Sequence, residues 1–183
     1  MPPLPSAGVL LYRRASVGAD DTADSAAADT DTDTDRDDTA DRANIDNAVE
    51  VLIGHMGGPF WARRDAGGWS VPKGEHQPGE EPLAAAQREF AEELGRRVPA
   101  EDFVALGSVT TSRGKVIRVW AAEGDLDVTT AVSNTFRLEW PKGSGVIQQF
   151  PELDRVAWVP VSLARIKLVS SQVPFLDRLL DVL

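Results

Sequence analysis

The sequence predicts a single α/β domain built around a mixed sheet. Three observations lead there. Short aliphatic or β-branched runs of strand length recur along the chain, one strong helical segment lies among them, and helical patterning returns at the C-terminal end. With 183 residues, 42% of them hydrophobic, the chain can bury one substantial core, so one domain over residues 1–183 is expected.

The first strands are "AGVLLYR" (Ala7–Arg13) and "AVEVLIGH" (Ala48–His55), expected to pair as neighbours across an insertion at about 15–46. From Asp20 to Asp46 there are eleven Asp against two Arg, which accounts for nine of the ten net negative charges of the chain. From Ala19 to Asn44 the chain holds no large apolar residue, so burial cannot offset the entropy of ordering that stretch, and a flexible low-complexity loop is expected. A calcium-binding reading fails because the Asp repeat lacks the Gly and closing Glu of an EF-hand loop. Long surface loops close at little entropic cost, so the two strands can still pair.

A Gly- and Pro-rich stretch from His55 to Pro82 reads as turns. The helix starts at about Pro82, with proline in its permitted first turn, and stops near Gly95. "FVALGSVTT", "KVIRVWAAEG", "TFRLEW" and "RVAWVPV" then read as strands, and "VSLARIK" and "VPFLDRLLDVL" as helices. There is no cysteine, which excludes disulfides and thiolate metal sites. The N-terminal stretch does not read as a signal peptide, and no apolar run reaches the roughly 18 residues of a membrane helix. A cytoplasmic protein with no membrane partner is expected; monomer and homodimer stay open.

Within the helix, Glu89, Glu92 and Glu93 stand at i, i+3 and i+4 and project together, while Leu83, Ala86, Phe90 and Leu94 form the stripe that docks on a sheet. Like charges so spaced repel, a cost that a divalent cation removes. An oxygen-only donor set selects a hard ion, Mg2+ or Mn2+. The bland alternative is a solvated acidic face. The wider spacing decides between them: Gly74, five residues, Glu80, seven residues, then Arg88-Glu89-Phe90-Ala91-Glu92-Glu93-Leu94-Gly95. This resembles the signature of the Nudix hydrolases, departing only at the last position, where Arg96 replaces an aliphatic residue.

That resemblance implies a Nudix-type α/β/α sandwich and hydrolysis of a nucleoside diphosphate linked to another moiety, with Mg2+ or Mn2+ as cofactor. It further implies that Glu92 and Glu93 are metal ligands and that Glu89 is a ligand or the proton acceptor. A carbonyl at Lys73 or Gly74 would complete the shell, Arg88 would orient the carboxylates, and Glu80 would support them. A downstream acid often completes such sites; Glu152 is the expected one, with Glu139 as competitor. The preferred substrate is a dinucleoside polyphosphate or a nucleoside triphosphate. A nucleotide sugar, an RNA 5′ end and a non-catalytic nucleotide-sensing role are the alternatives.

Candidate phosphate-binding cations are Lys73 and Arg63, with Arg64, Arg118, Arg137 and Lys142 behind them. Trp61 and Trp140, and less so Trp69, are candidates to stack on a base, although core packing explains a tryptophan equally well. The two histidines, His55 and His76, read as surface or strand-end residues rather than ligands. Outside the acidic insertion the chain is nearly neutral and carries no basic stripe, which argues against tight nucleic-acid binding.

Overall fold

A computed structural model describes residues 3–15 and 44–183. Most of the acidic insertion, residues 16–43, and with it the expected low-complexity loop, lies outside the described residues.

Strand β1 (Ser6–Arg14) is the axis of the main sheet. It pairs antiparallel with β2 (Val49–Met56) from Tyr12↔Val51 to Arg14↔Val49, and the Ala15 N–H donates to the Ala48 carbonyl at 2.8 Å. The two ends of the insertion are therefore neighbours, as expected. On the same edge, Ser6–Gly8 pair with a short strand, β4 (Lys73–Glu75). On the other edge β1 runs parallel to β6 (Val116–Glu123), which pairs antiparallel with β5 (Val104–Thr110). A two-residue strand, β3 (Trp69–Ser70), and the long β9 (Leu153–Pro160) both pair with β2. The result is a mixed sheet with both edges of β1 occupied.

The two-residue alternation of β1 sorts the core. Ala7, Val9 and Leu11 face one side, where they meet Ala85, Ala86, Phe90 and Leu94 of helix α1 (Pro82–Leu94). Leu10 and Tyr12 face the other, joined by Val51 and Ile53 of β2 and by Phe175, Leu176 and Leu179 of helix α3 (Pro174–Leu180). Helix α2 (Val161–Lys167) adds Val161 and Ala164 to that second face. Helices thus cover both faces of the sheet, the α/β/α sandwich expected.

Helix α1 begins where Glu81, in extended conformation, accepts from the Leu83 and Ala84 N–H groups, and it ends at Gly95 with φ 68°. Arg96 is exposed, while Val98 packs against the core beyond the helix end. The turn-rich stretch before α1 contains β3 and β4, which are too short to show a strand period. They exist because His55 and Gly54 of β2, and Ser6–Gly8 of β1, offer them partners.

Strands β7 (Thr135–Glu139) and β8 (Ile147–Pro151) form a separate hairpin. β8 escapes sequence reading because its Gln148 and Gln149 are exposed and its pairing is with β7 alone. Among the described residues no helix is long and apolar enough to cross a membrane.

Candidate active site

Strand β4 divides the site into two halves. On one side it meets the carboxylates of α1. The Lys73 N–H donates to Glu93 Oε2 at 2.9 Å. The Glu89 carboxylate lies so close over Gly74 that a Cβ there would overlap it, which explains why this position takes glycine. The Glu75 carbonyl accepts from Arg88 at 3.1 Å.

Arg88 organises the acids. Its guanidinium donates to Glu80 from Nε (2.9 Å) and from a terminal nitrogen (3.2 Å), and the other terminal nitrogen donates to Glu89 at 2.7 Å and Glu92 at 3.2 Å. Such charge-assisted bonds are the strong ones, and only a planar fork can make this many at once. The surrounding carboxylates, Glu80 first, hold Arg88 above its ordinary range, although burial opposes them. Glu80 in turn is held below the usual carboxylate range by Arg88 and then by the Gln77 N–H.

The three helix acids do not share one environment. Glu92 is exposed, Glu89 half-buried and Glu93 buried, at 7% exposure. Burial pushes the Glu93 carboxyl up to about 8; the Lys73 ammonium and N–H oppose this, while Glu152 and Glu89 add to it. Glu89 is also raised, chiefly by burial, with Arg88 opposing and Glu92 and Glu152 reinforcing. Glu152, in the bend between β8 and β9, is thus close enough to both to repel them. Glu139 instead accepts from the Gly145 N–H at 2.6 Å inside the β7–β8 turn.

This donor set fits a hard divalent ion: the carboxylates crowd together, burial disfavours the charge on Glu93 more than Lys73 favours it, and the donor atoms are all oxygen. Among the described residues no three acidic or imidazole groups already form a closed metal cage. Arg88 occupies lone pairs of Glu89 and Glu92 instead.

On its other side β4 opens onto a trough. One lobe, of about 490 Å³, is lined by Lys73, Trp61, Ser112, Arg113, Lys115 and Ser171, among others. It runs on into a second lobe of about 790 Å³, where Trp61 and Arg64 face Ser112, Ser170 and Ser171. Glu75 ties the halves together, since its carboxylate holds Lys115 at 2.8 Å while its carbonyl holds Arg88. Cations and hydroxyls next to an aromatic ring suit a phosphorylated ligand.

Of the residues expected to touch substrate, Lys73 and Trp61 line this trough, and the Arg64 guanidinium lies 5.5 Å over the Trp61 ring. Arg63 is exposed on the same loop and is not among the lining residues. Trp140 packs edge-on against Phe60, ring centroids 5.3 Å apart, at the turn end of the hairpin. Trp69 is buried in the core. Arg113, Lys115 and the Ser170–Ser171 pair were not singled out by sequence, because nothing local marks a turn cation or a serine that a distant strand makes neighbour to Lys73. His55 stands one residue from the end of β2, as expected, but it is wholly buried rather than at the surface.

A sandwich of this topology, with an acid-rich helix packed on a glycine strand and gripped by one arginine, defines a Nudix hydrolase. The NUDIX domain model matches residues 45–179, so the chain belongs to the Nudix family, hydrolases of phosphoanhydride bonds.

Similar solved structures include a Caenorhabditis elegans Ap4A hydrolase binary complex, 17% identical with a TM-score of 0.55 over 97% of this chain and 96% of that one. The Nudix domain of Shewanella oneidensis NrtR bound to ADP-ribose is 14% identical, with a TM-score of 0.57 over 100% of this chain and 89% of that one. A Nudix hydrolase from M. smegmatis, RenU, is 20% identical, with a TM-score of 0.52 over 98% and 84%. No curated protein matches the chain.

Proposed function

We propose that the protein hydrolyses a phosphoanhydride bond of a nucleoside polyphosphate, either a dinucleoside polyphosphate or a nucleoside triphosphate. Mg2+ or Mn2+ would be held by Glu89, Glu92 and Glu93 with a backbone carbonyl at Gly74. The observation that carries this reading is the position of β4, with the acid cluster on one side and the cation-lined trough on the other. On this reading a phosphate chain would lie across Lys73 and Gly74.

The residues divide the work by their surroundings. Arg88 sets the rotamers of Glu80, Glu89 and Glu92, so ligand oxygens are in place before substrate arrives. The Lys73 N–H aims Glu93. Glu89 and Glu152 stand close together, and whichever of them lies outside the metal shell would accept the proton of an attacking water. A bound divalent ion supplies charge neutralisation for the phosphates and acidifies water. Trp61 supplies an aromatic face for a base, and Lys73 and Arg113 meet phosphate oxygens. With every box carboxylate present, turnover is favoured over a sensing role without chemistry.

The test is a panel assay for phosphate or pyrophosphate release in Mg2+ and in Mn2+. It should cover nucleoside triphosphates, diadenosine tetraphosphate, ADP-ribose, nucleotide sugars and 5′-triphosphorylated RNA. Turnover of either of the first two well above the rest is expected. Preference for a nucleotide sugar or for RNA refutes the substrate class, and hydrolysis of none refutes the activity.

A further inference from the structure

His55 is buried at 0% exposure, yet both of its ring nitrogens face acceptors. Nδ1 lies 2.6 Å from Asp154 Oδ1 on β9, and Nε2 lies 2.7 Å from the Arg64 carbonyl in the loop between β2 and β3. A carbonyl accepts only, so Nε2 donates to Arg64. Nδ1 closes the other short contact with the Asp154 carboxyl group, so one ring joins both partners. Around it, the Trp69 ring stacks edge-on to His55 at 5.3 Å. Arg155 and Lys167 lie over that tryptophan, and Asp65 pairs with Lys167 and accepts from the Trp69 indole.

One partner belongs to the loop that carries Trp61, a wall of the trough, and the other to β9, just after Glu152. Arg64 stands three residues after Trp61 in one loop, bonded to it through the Arg64 N–H and Trp61 carbonyl at 2.7 Å. Asp154 follows Glu152 by two residues, and the Glu152 carbonyl accepts from Gly57, two residues after His55, at 2.8 Å. The loop fits closely here, since a Cβ on Gly68 would overlap the Arg64 carbonyl oxygen. Asp65 of this loop accepts from the Trp69 indole and pairs with Lys167, and that ion pair, with its carboxylate in solvent, is worth little.

We propose that His55 is a positioning residue for the substrate trough. Bonded through both ring nitrogens, it clasps the Trp61–Arg64 loop to β9 and so holds the Trp61 wall of the trough in place. The proposal rests on reading the trough as the substrate site. Its chemistry, an imidazole N–H bonded to a loop carbonyl, stands apart from the carboxylate machinery of α1.

Two substitutions separate the bonds. In His55→Gln the side-chain amide reaches as far as Nε2, so the bond to the Arg64 carbonyl survives and the Asp154 bond is lost. In His55→Asn the amide stops at the Nδ1 position, so the Asp154 bond survives and the loop is released. With the full chain in Mg2+, amide hydrogen exchange of residues 58–67 should quicken about tenfold in His55→Asn, the scale of one lost hydrogen bond, and less than threefold in His55→Gln. KM for the best substrate of the panel should rise about tenfold in His55→Asn with kcat within threefold, and KM in His55→Gln should stay near wild type.

Proton NMR of the wild-type protein should show a slowly exchanging imidazole N–H signal from His55 that vanishes in either variant. Absence of that signal in wild type, or loop exchange equally affected in both variants, overturns the clasp. Equal losses of kcat in the two variants overturn the positioning role. If nothing in the panel is hydrolysed, Kd for ATP read by tryptophan fluorescence replaces KM. Failure of ATP to bind wild type then refutes the trough as the site, while the exchange and NMR results still judge the clasp.

Discussion

Replacing Glu93 with Gln should stabilise the metal-free protein while destroying its activity. Glu93 is buried, and its carboxyl is raised from 4.5 to about 8, first by burial and then by Glu152 and Glu89. A carboxyl whose pKa is higher folded than unfolded favours folding fully below the unfolded value. That contribution is lost as pH rises through the folded one. At pH 7 the gap amounts to about 3 kcal/mol of lost stability. Gln keeps the acceptor for the Lys73 N–H and removes the charge. In EDTA at pH 7, Glu93→Gln should therefore melt roughly 6 °C or more above wild type. The difference should grow to a plateau above pH 8 and vanish near pH 4.5. Added Mg2+ should raise Tm for wild type and hardly at all for the variant, which closes the gap, because ligand binding to the folded state stabilises it. Activity should fall by about two orders of magnitude or more. Thermal unfolding at pH 4.5, 7 and 8.5, with and without Mg2+, reads all of this. A variant no more stable than wild type in EDTA at pH 8 would refute the claim that Glu93 is a buried, uncompensated acid.

Hydrolysis should stop in excess EDTA and return with Mg2+ or Mn2+; steady turnover in chelator would exclude the carboxylate site. Glu92→Gln, on the exposed side of the cluster, should lower kcat by about a hundredfold with Tm unchanged within about 2 °C, since it leaves no buried partner unpaired. Arg88→Lys, which keeps the charge but loses the fork that joins Glu80, Glu89 and Glu92, should cost at least about tenfold in kcat, and wild-type rates would show that the grip is incidental. Removing Asp20 to Arg42 behind a short Gly-containing turn should change stability by about 1 kcal/mol or less, because β1 and β2 are already joined at Ala15 and Ala48. Its kcat should hold; a loss that persists in about 0.5 M salt, where exposed charges are screened, would make that segment part of the site.

The sequence by itself determined the parts that depend on spacing along the chain. Helix α1 was legible from Pro82 to Gly95 because proline at the start, glycine in the left-handed conformation at the end and the stripe of Leu83, Ala86, Phe90 and Leu94 are local instructions. The same spacing put Glu89, Glu92 and Glu93 together with Arg88. Strands β1, β2 and β6 were legible because burial on both faces makes each a short run rich in aliphatic residues.

Only the tertiary structure decided the rest. β4 is three residues long and carries no pattern, yet its register against Ser6–Gly8 brings Gly74 under Glu89 and the Lys73 N–H onto Glu93. Glu152 and Glu139 read alike in sequence, and the β7–β8 hairpin places the first beside the cluster and turns the second into its own loop. His55 reads as a strand-end polar residue until β9 brings Asp154 across from it. The physical reason is the same each time. Periodicity encodes which face a residue shows, whereas which distant strand it meets depends on pairing registers set by the whole core.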